Sequence, residues 1–279
     1  MLAQTSVPGS THLQRARGVG GITTAQRDGG TRLRTLYQDG CAKIRLPNTH
    51  SPALEAVLIN TAGGLTGGDH MQWSAEVAAA GRMVLTTQAC ERIYRSIGGP
   101  AKVTTQLKVG EGAHLDWLPQ ETILFAGSQL ERRIEIDLAP GSSLTAVEAF
   151  LLGRDAMGET AMDARLGDQW RIRLGGRLIH AEATRLHGTT SERNGLSLLA
   201  GCRAFATILH VAPTAEGCAA TMERLRPLLP QDRRVAASAT GQRLVIRALA
   251  QTGLALRQLI VPLLSELAGA NALPRLWHL

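Results

Sequence analysis

The chain has 279 residues, 44% of them apolar and 19% charged, a globular composition long enough to bury a substantial core. Its 30 glycines and 11 prolines fall short of low complexity, and its longest charge-free runs, residues 1–14 and 56–68, are shorter than the roughly 18 apolar residues of a membrane helix. The 30 basic residues outnumber 23 acidic ones, yet aromatics at 3% leave little to stack on single-stranded bases, which argues against a nucleic-acid partner.

Strand patterns begin early. Residues 41–45, 53–60, 71–78 and 83–87 read as strands punctuated by Gly or Pro. Over 102–109, Val103, Thr105, Leu107 and Val109 alternate with Lys102, Thr104, Gln106 and Lys108, the period of two of a half-buried strand. Ile134, Ile136 and Leu138 alternate with Arg133, Glu135 and Asp137 in the same way. Trp170, Ile172 and Leu174 alternate with Arg171 and Arg173, after which Gly175-Gly176 suits a tight hairpin and 177–184 a returning strand. Thr214 is placed to cap a helix that ends before Pro227. The apolar residues Val245, Leu249, Leu256, Leu259, Leu263 and Leu267 predict a helical stripe over 242–267, broken near Thr252-Gly253 and at Pro262. No linker and no internal repeat interrupts the chain. The expectation is a flexible N-terminus over 1–14, then one mainly β domain over 15–279 with late helices.

The charge excess is carried by arginine, since Lys43, Lys102 and Lys108 are the only lysines. Arginine suits planar recognition of carboxylates, so a docking surface for acidic proteins is one reading and a dispersed solvated surface the other. Cys41, Cys90, Cys202 and Cys218 are far apart and form no Cys-x-x-Cys, which reads as buried free thiols of a reducing compartment. The first residues lack the basic start and apolar run of a secretory signal, so a cytoplasmic, membrane-free protein is expected.

Residues 60–69, Asn-Thr-Ala-Gly-Gly-Leu-Thr-Gly-Gly-Asp, are the densest motif. The Gly63-Gly64 and Gly67-Gly68 pairs permit a tight turn or a close backbone approach. A phosphate loop needs Lys-Ser/Thr after the last glycine, where Asp69-His70 stand instead. His180-Ala181-Glu182 copies the His-x-Glu of zinc deaminases without the later Pro-Cys-x-x-Cys. Glu148 lies in a segment apolar on both faces, so it must meet an arginine, a hydrogen-bond donor or water in a cavity. No Gly-x-Ser-x-Gly or His-Glu-x-x-His occurs, and no further catalytic grouping can be named.

The 60–69 segment resembles the Gly-Gly-Leu-x-Gly-Gly-Asp motif of the UreD (UreH) family of urease accessory proteins. Residues 37–47, the 86–96 segment ending in Tyr94-Arg95-Ser96, residues 117–123, Leu152-Gly153-Arg154 with Gly158-Glu159, and Leu273-Pro274-Arg275-Leu276-Trp277 resemble further family segments in the same order. The resemblance implies a fold of stacked strands in a β-helical arrangement with a few C-terminal helices. It also implies a non-catalytic nickel-insertion chaperone or scaffold that docks, with UreF and the GTPase UreG, on the urease apoprotein (UreABC). Nickel would come from UreE, and GTP hydrolysis would belong to UreG. No tightly bound cofactor is implied, only transient Ni²⁺ passing weak oxygen ligands, for which Asp69, Glu148 and Glu182 are the candidates. Gly63, Gly64, Gly67, Gly68, Tyr94 and Arg95 are implied to form a structural turn or an interface, and the C-terminal helix to help contact UreF. Two readings from other classes stand beside this one: a metal-dependent hydrolase or deaminase using His180 and Glu182, and a basic nucleic-acid-binding module.

Overall fold

The computed structural model describes residues 14–49, 51–154, 157–187, 189–231, 234–268 and 273–278; residues 1–13 of the expected flexible N-terminus lie outside them. The first strands are β1 (Arg17–Arg27), β2 (Gly30–Gly40), β3 (Ala42–Arg45), β4 (Leu54–Asn60), β5 (His70–Val77), β6 (Arg82–Thr87) and β7 (Glu91–Ile93). There follow β8 (Ala101–Val109), β9 (His114–Leu118), β10 (Thr122–Leu124), β11 (Gln129–Leu138), β12 (Ser143–Leu152), β13 (Arg165–Leu174) and β14 (Arg177–Leu186). The last part holds α1 (Thr190–Arg193), β15 (Ala204–Val211), α2 (Ala215–Leu225), β16 (Val235–Thr240), β17 (Arg243–Ala250) and α3 (Gly253–Ala268).

Two sheets face each other. One runs β14-β13-β11-β8-β5-β1-β2, and the other β16-β17-β15-β12-β9-β6-β4-β3. The middle pairings β1–β5, β5–β8, β8–β11 and β11–β13 are parallel, as are β4–β6, β6–β9 and β9–β12. Antiparallel pairs close both ends. From β5 to β13 the chain passes back and forth between the sheets, laying each turn beside the last. The short strands β7 and β10 extend this stack, with β10 parallel to both β7 and β12. The architecture is therefore the expected mainly β stack of solenoid-like coils, built without a repeated sequence.

Alternation fixes which residues fill the space between the sheets. Leu107 and Val109 of β8, Ile134 and Ile136 of β11, and Leu115 and Trp117 of β9 all point inward and are buried. Close packing also explains a run of small residues in β1. A Cβ on Gly20 would overlap the Trp73 ring, so only glycine lets β1 lie against β5 at this point.

The outer face of the second sheet is covered by α2 and α3, which form a second core with Ile208, Leu244, Ile246 and Ala248. Thr214 caps α2 as expected, accepting a hydrogen bond from the Gly217 amide at 3.1 Å. The helical stripe expected over 242–267 is corrected in its first half, because Arg243–Ala250 is the strand β17. This strand packs on both faces, with Val245 and Leu249 toward the inner core and Leu244 and Ile246 toward the helices. Apolar residues on both faces erase the period of two. Pro262 does not break α3 either. An interior proline costs about 3 kcal/mol, whereas burying Ile260, Leu263, Leu264 and Leu267 at roughly 1.5–3 kcal/mol each outweighs it.

Among the described residues no helix is long and apolar enough to cross a membrane. The four cysteines are free; Cys202 and Cys218 are buried as expected, while Cys41 and Cys90 are half-buried.

Candidate functional site: a charged seam between the sheets

The glycine segment is a turn stacked on its neighbours. Leu65 donates its amide to the Arg92 carbonyl at 2.8 Å, and Tyr94 returns one to Leu65 at 2.7 Å, so the turn adds a bridge beside β7. Gly64 has φ +147°, and a Cβ there would strike the Tyr94 ring and the Arg92 carbonyl. Thr66 donates its hydroxyl to the Arg95 carbonyl at 2.9 Å, and Tyr94 packs edge-on against Phe125 at 5.1 Å. Asp69 closes the turn: its oxygens accept the amides of Thr66 at 2.7 Å and Ala16 at 2.8 Å. Asp69 is buried at 4% exposure, with both oxygens committed to backbone.

Glu148 points between the sheets from β12 and meets what its apolar surroundings demand. It ion-pairs with Arg132 of β11 and accepts the Trp117 indole N–H at 2.9 Å. Arg132 also donates through Nε to Asp168 of β13 at 2.8 Å, and Asp168 accepts the Trp170 indole at 2.9 Å. The guanidinium lies 4.6 Å from the centre of the Phe150 ring. Burial works against the charge on Arg132, but Asp168 and Glu148 outweigh it and hold the guanidinium protonated. Burial likewise pushes the Glu148 carboxyl above its ordinary range, with Arg132 pulling the other way. One buried cation thus faces two buried carboxylates.

Glu182 continues the seam from β14. It accepts two hydrogen bonds from Arg247 at 3.0 and 3.1 Å and one from Thr207 at 3.2 Å, and lies 3.5 Å from the His180 ring. Burial works against its charge, but contact with His180 and Arg247 prevails and holds the carboxyl below the usual range. His180 and Glu182 therefore share a face inside the sandwich, while Leu178, beyond a bulge in the β13–β14 pairing, is exposed. Among the described residues no group of three or more His, Cys, Asp or Glu is arranged to hold a metal.

Sequence reasoning missed Glu91. This half-buried residue opens β7 and receives the Asn60 side-chain amide at 3.1 and 3.2 Å. Burial pushes its carboxyl up to about 7, against the Asn60 hydrogen bond. Glu91, Trp73 and Thr87 line two adjoining cavities. One, of about 160 Å³, reaches Gly63 and Cys90; the other, of about 50 Å³, reaches Trp117, Arg132 and Glu148. Arg132, Val103 and Leu130 in turn border an open groove of about 850 Å³ where β8, β11 and β13 begin. The three hollows thus follow one another across the sandwich, with Glu91 at one junction and Arg132 at the next.

The UreD urease accessory protein family model matches residues 16–278. The chain belongs to the UreD family. It is 57% identical over 267 residues to the urease accessory protein UreD of Chelativorans sp. (strain BNC1), covering 96% of this chain and 95% of that one. It is 48% identical over 276 residues to UreD of Rhizobium leguminosarum bv. viciae, covering 99% and 100%, and 47% identical over 272 residues to UreD of Agrobacterium fabrum, covering 95% and 92%. Urease maturation is therefore the setting in which the buried seam of this UreD chain has to be understood.

A smaller polar feature lies on the other face of β12. His114 of β9 sits 3.0 Å from Asp116 and 2.7 Å from the Ser143 hydroxyl, and His210 of β15 is 3.1 Å from the Thr145 hydroxyl. Burial first, and the neighbouring His114 second, push the His210 ring down to about 4. It is buried as a neutral imidazole.

Proposed function

We propose that this chain is a non-catalytic scaffold of urease maturation which, with UreF and UreG, holds the urease apoprotein while Ni²⁺ delivered by UreE crosses between its sheets. One observation carries the passage: the hollows on either side of Glu91 and Arg132 share their lining residues.

The chemistry of the lining suits transit better than storage. A borderline divalent ion is held weakly by single carboxylates, whereas thiolate or imidazole clusters would retain it. With its pKa near 7, Glu91 is poised between its protonated and charged forms, and binding a cation would favour release of the proton. At Glu148 the arriving ion competes with Arg132, which weakens its hold. The 50 Å³ cavity is large enough to hold water beside a transiting ion. Asp69 and Glu182 act in this reading by bracing the frame, through backbone amides and Arg247 respectively.

The test co-expresses Glu91→Gln and Glu148→Gln chains with UreF, UreG and urease, then measures nickel per urease active site. The expected result is loss of most nickel while the variants still co-purify with urease. Full loading with both substitutions would discard the passage and leave the scaffold; failure of the unaltered chain to co-purify would discard the scaffold.

A further inference from the structure

We propose that the groove where β8, β11 and β13 begin binds an acidic segment of a partner protein through its carboxylates. Three cations meet there from three strands: Lys102 of β8, Arg165 of β13 and Arg185 of β14. All three side chains are exposed, and none has a side-chain partner among the described residues. Arg133, also at the groove, is paired with Glu135 on its own strand at 2.9 Å. Among the described residues Glu131 is the one acidic residue lining the groove.

The layout favours an extended ligand. Register places Lys102 beside Glu131, Glu131 beside Gly167, and Gly167 beside Arg185. Lys102 and Arg185 are therefore three strand spacings apart, about 14 Å between backbones, a spread over which successive carboxylates of one segment can pair. At Gly167, between them, a Cβ would meet nothing closer than the Glu131 side chain at 4.0 Å, so the floor is open. From beneath, Arg132 borders the same groove with its guanidinium turned inward to Glu148 and Asp168, so the exposed cations alone face a ligand. Among the described residues no Phe, Tyr or Trp lines the groove, which removes the stacking platforms that nucleotides use. Arginine and lysine spaced along a trough instead match side-chain carboxylates. The proposal does not depend on whether nickel crosses the chain.

The test uses fluorescein-labelled octaglutamate and the full-length chain, read by fluorescence anisotropy. Binding is expected to weaken with salt, and the Arg165→Glu/Arg185→Glu pair to weaken it by about tenfold or more. Arg165→Lys/Arg185→Lys should retain most of it. Reversing two exposed arginines at the far edge, Arg27→Glu/Arg34→Glu, should leave it nearly unchanged. Equal weakening by the far-edge pair, or no weakening by the groove pair, would overturn the site. Displacement by inorganic phosphate at constant ionic strength, as effective as displacement by unlabelled octaglutamate, would overturn the extended-segment reading in favour of a small oxyanion site.

Discussion

Strand β12 separates two buried polar neighbourhoods that solve the same problem in opposite ways. On its inner face, Glu148 shares the buried Arg132 cation with Asp168. On its outer face, Thr145 faces His210, which stays neutral beneath the helix layer. The first arrangement needs all of its members, because each carboxylate is tolerable only beside the guanidinium. The second needs only that one ring be kept free of a proton. Inside the solenoid, then, stability depends on composition; under the helices it depends on acidity.

The largest expected effect breaks the inner arrangement. Arg132→Leu leaves Glu148 and Asp168 buried without their cation and should cost about 3–5 kcal/mol in urea unfolding. Adding Glu148→Gln and Asp168→Asn to that variant should restore much of the loss, since neutral groups no longer require the guanidinium. A triple variant as weak as the single one would show that packing of the arginine stem, not charge, dominates.

The outer arrangement is sharpened by pH. His210 has a folded value near 4 against an ordinary 6.5, so between these values the unfolded chain binds the extra proton. Stability should therefore fall as pH drops from about 6.5 toward 4, by up to roughly 3 kcal/mol. His210→Gln should flatten that slope in thermal melts. Glu91 gives an effect of similar size with the opposite sign. Its folded value near 7 exceeds the ordinary 4.5, so the folded chain holds the extra proton and stability should fall as pH rises through that window. Glu91→Gln should remove this loss, read from melts between pH 5 and pH 8.

How far the molecule was legible depended on whether a strand has one wet face. β8, β11 and β13 have polar outer faces, so their alternation was plain, and Gly175-Gly176 marked the β13–β14 turn. Glycines 18, 20 and 21 interrupt the pattern of β1, while β2 is exposed over most of both faces and has no apolar side to announce it. β15 and β17 are buried on both sides, and the second of these imitated a helix. Within the seam, Glu148 was recognisable as a carboxylate needing a partner. The partner was within reach of the same reasoning: carrying the Ile134–Ile136 alternation two residues back puts Arg132 inward, and carrying Trp170–Ile172 back puts Asp168 inward. Glu91 offered no such signal, because its three-residue strand is too short to show a period and its neighbour Asn60 is 31 residues away.

The fastening of the helix layer has a consequence for how the molecule is made. Arg257 of α3 holds Gln120 and Glu121 at 2.8–3.2 Å and lies 5.1 Å from the Trp277 ring, while the Trp277 indole donates to the Leu118 carbonyl at 3.0 Å. That last bond joins residues 159 positions apart. Synthesis proceeds from the N-terminus, so the coils leave the ribosome well before the residues that clasp them. During that interval the Glu121 carboxylate waits without its guanidinium and the β9–β10 junction without its indole. A nascent form stalled before Arg257 would therefore carry an open flank.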